Sequence, residues 1–281
     1  MIIDGKSLAQ GILTRLRGQT ETLITRSIIP TLAVILVGDN PASLAYIKQK
    51  QKAAEQIGAR VIFDHQPATI SSDTLRSLVE TYNKDLSVHG LIIQRPVPGE
   101  LGDVSGILNA VAKNKDVDGF LPGSLFDVPV ALAVGEMLQH VYLSDMNTQK
   151  TSGRMTTSTD YIGWLRTKKI VVIGRGDTAG APILRYFQKQ QCTTSQIHSH
   201  TPDPTSILKQ ADIVVSCVGK DRVITREHIN PGTILISVGI WRDTAGKLQV
   251  DYDEAEIAEI ASWYTPTPGG TGPILVAKLM E

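Results

Sequence analysis

Tyr46 and Lys50 have the spacing of a proton-transfer pair. They lie four residues apart in a segment, 42–57, whose composition favours a helix, so the ring and the ammonium share one helix face. A lysine held beside an aromatic ring and partly withdrawn from water has a lowered pKa and can exchange protons. The same spacing also fits an exposed basic face along KQKQK, and spacing alone favours that second interpretation.

Polar residues at the ends of two other segments have groups that can bind a heterocycle. Gln94 ends the apolar segment 88–94, which predicts a buried strand, and ligands bind at the carboxyl ends of strands in open α/β sheets. Its amide can pair with the edge of a ring. Asp116 and Asp118 lie in the turn KDVDGF, where an aspartate usually stabilises the turn. The alternative is a carboxylate that accepts a pair of hydrogen bonds from a pterin-like ring.

Glycines after another buried strand predict a dinucleotide site. The segment 168–174 leads into Gly174, Gly176 and Gly180, where the chain can turn tightly and approach a ligand closely. The helix that follows offers its first N–H groups to a pyrophosphate. The spacing is one residue longer than the commonest fingerprint, so a glycine-rich turn without a ligand is the alternative interpretation.

The residues beside this turn favour NADP over NAD. The segment 195–201 lacks the acidic residue that usually binds the ribose hydroxyls of NAD. Arg175 carries a permanent positive charge and the Ser199 hydroxyl can donate to a phosphate oxygen, so a 2′-phosphate would be bound well. Arg175 and His200 also fit an ordinary solvated surface.

The elements around these residues alternate between helix and strand, which predicts an α/β protein with parallel sheets. Residues 4–26 favour an opening helix and residues 273–280 a closing one. Strands are predicted at 31–38, 59–65, 88–94, 168–174, 195–201, 211–219 and 233–240. The pattern from Asp127 to Val141 is irregular, and the polar stretch 144–160 predicts an exposed loop.

Composition excludes several classes of partner. The chain has 281 residues, with 28 Lys and Arg against 28 Asp and Glu, so it has no basic excess for a nucleic acid or an anionic membrane. No apolar run approaches the roughly 20 residues that cross a bilayer, and the N-terminus has no leader pattern. Cys192 and Cys217 are predicted to be reduced thiols, and no metal site is expected. We expect a cytoplasmic protein.

Several motifs occur together and in a fixed order along the chain. They are VGDNPASLAYIKQKQKAAEQIG, GLIIQRPVP, KDVDGF, VVIGRGDTAGAP, HSHT, ADIVVSCVG, VGI and TPTPGGTGP. With these motifs the chain resembles, over nearly its full length, the bifunctional methylenetetrahydrofolate dehydrogenase/methenyltetrahydrofolate cyclohydrolase (FolD) family. The resemblance implies NADP-dependent oxidation of methylenetetrahydrofolate, hydrolysis of the methenyl product to 10-formyltetrahydrofolate, and a homodimer.

The resemblance also implies roles for individual residues. It makes Lys50 the main catalytic group, places Tyr46 in the folate pocket and assigns Gln94 and Asp118 to substrate positioning. The residues implied to bind the cofactor are Gly174, Arg175, Gly176, Ser199 and Ile240. Those implied to line the substrate site are Pro268, Gly269, Gly270 and Pro273.

Two domains with a cleft between them are expected from the same resemblance. Residues 1–122 with 273–281 would form the folate-binding catalytic domain, and residues 123–272 a Rossmann-like, doubly wound NADP-binding domain. The stretch 144–160 would be an insertion.

The chain departs from the family pattern at a few positions. Gly176 replaces a serine and Ser237 replaces an aspartate, so cofactor affinity or choice is expected to differ. The segment 129–135 lacks the threonine of the family's Pro-Cys-Thr-Pro motif. Three alternatives stay open from the sequence: a monofunctional dehydrogenase, another two-domain NADP-dependent dehydrogenase such as a shikimate-type enzyme, and a non-catalytic homologue that binds folate or nucleotide.

Overall fold

The structure is a computed structural model that describes residues 1–148 and 158–281. It consists of two compact units, each named here after a residue it contains. The Lys50 unit comprises Gln10–Pro129 and Val276–Glu281, and the Gly174 unit comprises Met1–Ala9 and Val130–Leu275. The chain therefore enters each unit twice. The domain boundaries expected from the sequence, at 122 and 272, stay predictions.

The Lys50 unit is built on a three-stranded parallel sheet. Its elements, in chain order, are α1 (Gly5–Ile24, shared with the other unit), β1 (Thr31–Val37), α2 (Pro41–Ile57), β2 (Arg60–Gln66), α3 (Ser72–Lys84), β3 (Gly90–Ile93) and the short α4 (Val104–Leu108). The strand order is β2-β1-β3. This confirms the predicted βαβαβ arrangement, with β1 in the centre.

Every residue of β1 is buried, because both faces of the sheet are covered. Alternate side chains enter separate apolar clusters. One cluster takes Ala33, Ile35 and Val37 together with Leu75 and Val79 of α3. The other takes Leu32, Val34 and Leu36 together with Ile47 of α2 and Leu279. A continuous apolar run such as TLAVILV is what a strand buried on both faces requires.

The Gly174 unit contains a five-stranded parallel sheet in the order β10-β7-β6-β4-β5. Its elements are α5 (Pro129–Thr148), α6 (Ser158–Arg166), β4 (Lys169–Ile173), α7 (Gly180–Lys189), β5 (Thr193–Ile197), α8 (Pro204–Leu208), β6 (Ile213–Ser216), β7 (Ile234–Ser237), β8 (Ile240–Arg242), β9 (Leu248–Val250), α9 (Glu254–Ala258), β10 (Trp263–Tyr264) and α10 (Thr271–Met280, shared with the Lys50 unit). The predicted strands 168–174, 211–219 and 233–240 are confirmed. The segment 195–201 contains only the end of β5, because the strand stops at Ile197 and residues 198–201 form a turn. Strands β8 and β9 form a separate antiparallel pair.

The interpretation of the region from Asp127 to Val141 as irregular was wrong. Most of it is the helix α5, and its buried residues include Val130, Val134, Met137 and Val141. A helix that is apolar on most of its circumference has no polar face, so its sequence lacks the periodicity that reveals a surface helix. The structure is therefore helical where the sequence pattern was least regular.

The predicted loop 144–160 was wrong at both ends. Residues 144–148 continue α5 and residues 158–160 begin α6. The rest of that stretch lies outside the described residues. Both cysteines are free thiols and partly buried. No helix in the described ranges is long and apolar enough to span a bilayer.

Candidate active site and cofactor site

Helix α2 places Tyr46 and Lys50 in the Lys50 unit. It begins where the Asn40 side chain accepts a hydrogen bond from the Ser43 N–H at 3.0 Å, with Pro41 in the first turn. Lys50 is only 4% exposed. The solvent-exposed basic face that spacing alone favoured is therefore wrong for this lysine, and the neighbouring apolar packing of the helix explains why.

Lys50 contacts the side chain at the end of β3. Its Nζ donates a hydrogen bond to Gln94 Oε1 at 2.9 Å. The Gln94 backbone N–H donates to the Ile35 carbonyl at 2.8 Å, and its Nε2 donates to the Arg95 carbonyl at 3.1 Å. Both polar atoms of the Gln94 side-chain amide are therefore hydrogen-bonded, Nε2 to the Arg95 carbonyl and Oε1 to Lys50. The bond at Nε2 directs Oε1 towards the lysine.

Lys115 and Asp116 hold the KDVDGF turn in place. The buried Lys115 Nζ donates to the backbone carbonyls of Tyr82, at 2.7 Å, and Asp85, at 2.6 Å, near the end of α3. The Asp116 carboxylate accepts from the Leu121 N–H at 3.0 Å. The turn-stabilising role considered for both aspartates belongs to Asp116.

Asp118 has no such structural role. It is half-buried, and it accepts no hydrogen bond from any residue that the structure describes. Burial raises the pKa of its carboxyl group above the ordinary value, and the positive charge of Lys50 opposes that shift. A carboxylate with unused acceptor sites beside a buried ammonium is suited to accept hydrogen bonds from a ligand.

The charges of these residues act on one another. Burial lowers the pKa of the Lys50 ammonium, and the Asp118 charge opposes that shift. Burial also raises the pKa of the Tyr46 hydroxyl, and Asp118 raises it further. The structure therefore brings Tyr46, Lys50, Gln94 and Asp118 into one site, in which a lysine can lose a proton more easily than a solvated lysine.

The glycine turn after β4 has the geometry of a ligand-binding turn. Gly174 has a φ of 107°, which favours glycine. A Cβ atom on Gly180 would overlap the Gly174 carbonyl oxygen, whereas Gly176 faces open space. Helix α7 begins at Gly180, and no side chain caps it at Ala179. Among the first residues of α7, the Ala181 N–H donates to the Gly176 carbonyl at 3.1 Å and Pro182 has no N–H, so the Gly180 N–H is the donor left for a ligand. One backbone donor beside the open space at Gly176 is compatible with the pyrophosphate of a dinucleotide.

Arg175 and Ser199 lie beyond the ends of neighbouring strands. Strands β4 and β5 pair up to Ile173 and Ile197, and both side chains follow that edge and are exposed. Arg175 forms no ion pair with a residue in the described ranges. A cation and a hydroxyl at this edge suit the 2′-phosphate that distinguishes NADP from NAD.

Asp251 was missed by the sequence analysis. It is fully buried, and its carboxylate accepts hydrogen bonds from the Ser216 hydroxyl, the Val218 N–H at 3.0 Å and the Lys220 N–H at 2.9 Å. These donors belong to the end of β6 and the loop after it. Asp251 follows β9 in the chain, and no local pattern marks it as the organiser of a loop more than thirty residues earlier.

Ser237, the position where the family pattern has an aspartate, is part of the same buried network. Its hydroxyl donates to the Gly239 carbonyl at 2.9 Å and accepts from the Asp251 N–H at 3.3 Å. A Cβ on Gly239 would overlap the Asp251 carboxylate. Ile240 is 53% exposed at the start of β8 and offers an apolar surface next to this loop.

The glycine-rich loop before α10 packs against the first residues of the chain. A Cβ atom on Gly5 would overlap the Gly270 carbonyl, and Gly269, with a φ of 112°, lies against the Lys6 stem. Pro268 precedes these glycines and Pro273 lies in the first turn of α10. All of these contacts lie within the Gly174 unit.

Comparisons with known proteins match both parts of the chain. Residues 3–118 match the catalytic domain, and residues 147–281 the NAD(P)-binding domain, of the tetrahydrofolate dehydrogenase/cyclohydrolase family. The bifunctional protein FolD of Geobacillus thermodenitrificans is 38% identical over 282 residues, which cover 100% of this chain and 94% of that protein.

Two solved structures are similar throughout. The bifunctional FolD methylenetetrahydrofolate dehydrogenase/cyclohydrolase of Campylobacter jejuni has a TM-score of 0.89 at 32% identity, covering 100% of this chain and 95% of that one. The Trypanosoma brucei methylenetetrahydrofolate dehydrogenase-cyclohydrolase, complexed with NADP and an inhibitor, has a TM-score of 0.87 at 28% identity, covering 100% and 94%.

Proposed function

This chain belongs to the tetrahydrofolate dehydrogenase/cyclohydrolase family, and we propose that both activities of the family are its own. It oxidises 5,10-methylenetetrahydrofolate to 5,10-methenyltetrahydrofolate with NADP and hydrolyses that product to 10-formyltetrahydrofolate. The observation that carries this function is the buried Lys50 ammonium, hydrogen-bonded to Gln94 and electrostatically coupled to Asp118. The bifunctional relatives and the NADP complex of the Trypanosoma brucei enzyme support it.

The residues of the Gly174 unit fit NADP. We propose that Gly174, Gly176 and the start of α7 hold the pyrophosphate, since the turn is open there and the helix end is uncapped. Arg175 and Ser199 would hold the 2′-phosphate, and Ile240 would contact an apolar face of the cofactor. When bound, NADP supplies the acceptor for the hydride that leaves the methylene carbon.

In the oxidation, the protein orients the substrate and tolerates the positive charge that forms on it. The folate nitrogens delocalise the methenyl cation, so positioning contributes most of the rate. Asp118 would accept hydrogen bonds from the donor edge of the pterin ring, and its charge would offset part of the new cation. We propose that Tyr46 lines the pocket, and that Pro268, Gly269, Gly270 and Pro273 form a further part of the substrate site.

In the hydrolysis, the protein moves protons at Lys50 Nζ. Water adds to the methenyl carbon and loses a proton, which leaves a hydroxyl on that carbon. The hydroxyl then loses its own proton as the carbon–nitrogen bond breaks and the formyl C=O forms, and the released nitrogen takes up a proton. The net reaction adds one water and releases the proton that balances the lost cationic charge. A lysine of lowered pKa can take the first proton and return one, while Gln94 Oε1 holds its Nζ in place.

We also propose a homodimer in the cytoplasm, with a catalytic domain of residues 1–122 and 273–281 and a cofactor domain of residues 123–272. The division of the chain into two family matches, at 3–118 and 147–281, supports two functional parts.

Two absorbance assays on the purified protein test the function. With methylenetetrahydrofolate, NADP is expected to be reduced, with a higher catalytic efficiency than NAD. With methenyltetrahydrofolate alone, the methenyl chromophore is expected to disappear faster than in buffer. Activity in the first assay only would leave a monofunctional dehydrogenase. Equal catalytic efficiency with NADP and NAD would contradict the assignment of Arg175 and Ser199 to the 2′-phosphate. The absence of activity in both assays would refute the proposed function.

A further inference from the structure

Arg95 carries a guanidinium that the mechanism above does not use. It directly follows Gln94, and its backbone carbonyl accepts hydrogen bonds from Gln94 Nε2 at 3.1 Å and from the Ser43 hydroxyl at 3.4 Å. The backbone of Arg95 is therefore tied both to the residue that contacts Lys50 and to the first turn of α2. This fixes the base of the side chain at the edge of the active site.

The guanidinium lies over an aromatic ring. Arg95 Cζ lies 4.4 Å from the centroid of the Phe120 ring, which is cation–π geometry. Phe120 is two residues from Asp118 in the turn that Lys115 and Asp116 hold in place. This contact holds the guanidinium over the ring without a carboxylate or carbonyl acceptor. The ring therefore places the positive charge while its N–H groups stay available as donors.

The donors of Arg95 have no protein acceptor among the described residues. No carboxylate lies within ion-pair distance, and no described oxygen accepts a hydrogen bond from the guanidinium. The residue is half-buried, so it is not an ordinary solvated surface arginine. Burial raises the pKa of Asp118, and the charge of Arg95 is among those that oppose this rise. A planar donor group held over an aromatic ring, near a carboxylate with unused acceptor sites, is suited to a ligand that has both donors and acceptors.

The pterin ring offers that combination. Its ring N–H and amino group form a donor pair that a carboxylate can accept, and the carbonyl oxygen next to them is an acceptor. We propose that Arg95 binds this carbonyl oxygen of the substrate while Asp118 binds the donor pair, so that the two side chains together recognise the pterin. This inference rests on the proposed function, because it assigns a further substrate-binding residue to the same site.

The carboxylates of the glutamate tail are the competing ligand for an arginine. They are separated from the pterin by the aminobenzoyl group, whereas Arg95 lies close enough to Asp118 to shift its pKa. The pterin end is therefore favoured. The two ligands are distinguished by comparing methenyltetrahydrofolate with methenyltetrahydropteroate, which has the same ring and no glutamate.

The test measures KM and kcat for hydrolysis of both substrates in the wild type and in Arg95→Leu. We expect KM to rise about tenfold or more with both substrates, because a hydrogen bond from a charged donor is lost. Because the contact is made equally in the bound and the reacting substrate, kcat should change much less. Lys48→Met, which removes an exposed positive charge from α2, is the matched control and should leave both constants unchanged.

Two further variants distinguish the loss of a substrate contact from a folding defect. Arg95→Lys keeps the charge and the aliphatic stem but loses the planar donors, so its KM should rise less than that of Arg95→Leu with both substrates. Phe120→Leu should also raise KM, and its effect should not add to that of Arg95→Leu, because both act through the same contact.

An unchanged KM in Arg95→Leu, or an increase confined to the substrate with glutamate, would overturn the proposal. If Arg95→Leu does not fold, an unchanged KM in Arg95→Lys has the same meaning. These results presuppose an active wild type. A wild type that hydrolyses neither substrate refutes the proposed function itself, so the two failures are distinguishable.

Discussion

Lys50→Met is expected to abolish most of the hydrolysis of methenyltetrahydrofolate while the protein stays folded. General acid–base catalysis by a positioned side chain contributes about a hundredfold to ten-thousandfold in rate, and Lys50 is the group to which we assign it. We therefore expect kcat for hydrolysis to fall by at least about a hundredfold. The loss is measured as the rate of disappearance of the methenyl chromophore under substrate saturation.

The stability of this variant should change little, because two effects oppose each other. The methionine side chain cannot make the hydrogen bond that Lys50 donates to Gln94 at 2.9 Å, and its loss lowers the free energy of unfolding by about 1–3 kcal/mol. It also removes a buried positive charge, whose burial was unfavourable enough to lower the pKa of Lys50. Urea unfolding should therefore give a free energy of unfolding within about 2 kcal/mol of the wild type.

Lys50→Arg keeps the positive charge at residue 50 but removes its ability to transfer a proton. The guanidinium stays protonated throughout the accessible pH range, so it can still donate to Gln94 but cannot act as a base. We expect hydrolysis to be lost in this variant nearly as completely as in Lys50→Met. In the wild type the rate should rise with pH through the lowered pKa of Lys50, and that rise should be missing in both variants.

The lowered pKa of Lys50 also predicts how the free energy of unfolding depends on pH. Between its lowered pKa in the folded chain and the ordinary value of 10.5, Lys50 binds fewer protons in the folded state than in the unfolded state. The contribution of Lys50 therefore makes the free energy of unfolding rise with pH in that window, and Lys50→Met should lack it. The assignment of proton transfer to Lys50 would be refuted if Lys50→Met still hydrolysed the substrate, or if Lys50→Arg kept the wild-type pH profile of hydrolysis.

Three further variants test the parts that hold the two sites. In Gly180→Ala the new Cβ overlaps a backbone carbonyl, so the free energy of unfolding should fall by about 1–3 kcal/mol in a urea titration. Gly176→Ala is the control: its new Cβ faces open space and should leave the free energy of unfolding unchanged. Asp251→Asn removes a buried carboxylate that accepts from the loop after β6, and it should weaken NADP binding about tenfold by fluorescence titration. Hydrolysis of methenyltetrahydrofolate is the control that should stay unaffected. Lys115→Met should lower the free energy of unfolding by roughly 2 kcal/mol, because the backbone carbonyls of Tyr82 and Asp85 lose the buried ammonium that donates to them. Lys113→Met changes an exposed side chain and should have no measurable effect.

Local rules determined most of the framework from the sequence alone. A continuous apolar run such as residues 31–37 has few alternatives to a buried strand. Gly174 and Gly180, in the turn after β4, lie where backbone atoms approach too closely for a side chain. These features depend on neighbouring residues and on helix or strand periodicity. The motif order and the family followed from the same local information.

Tertiary packing decided what local patterns leave open. Spacing alone favoured an exposed Lys50, and only the packing around α2 buries it and lowers its pKa. The buried helix α5 had no periodic face to reveal it. Asp251 organises a loop distant in sequence, and Arg95 meets Phe120 only because β3 and the KDVDGF turn lie side by side. Burial and long-range contact depend on which elements become neighbours, and sequence periodicity carries no record of that.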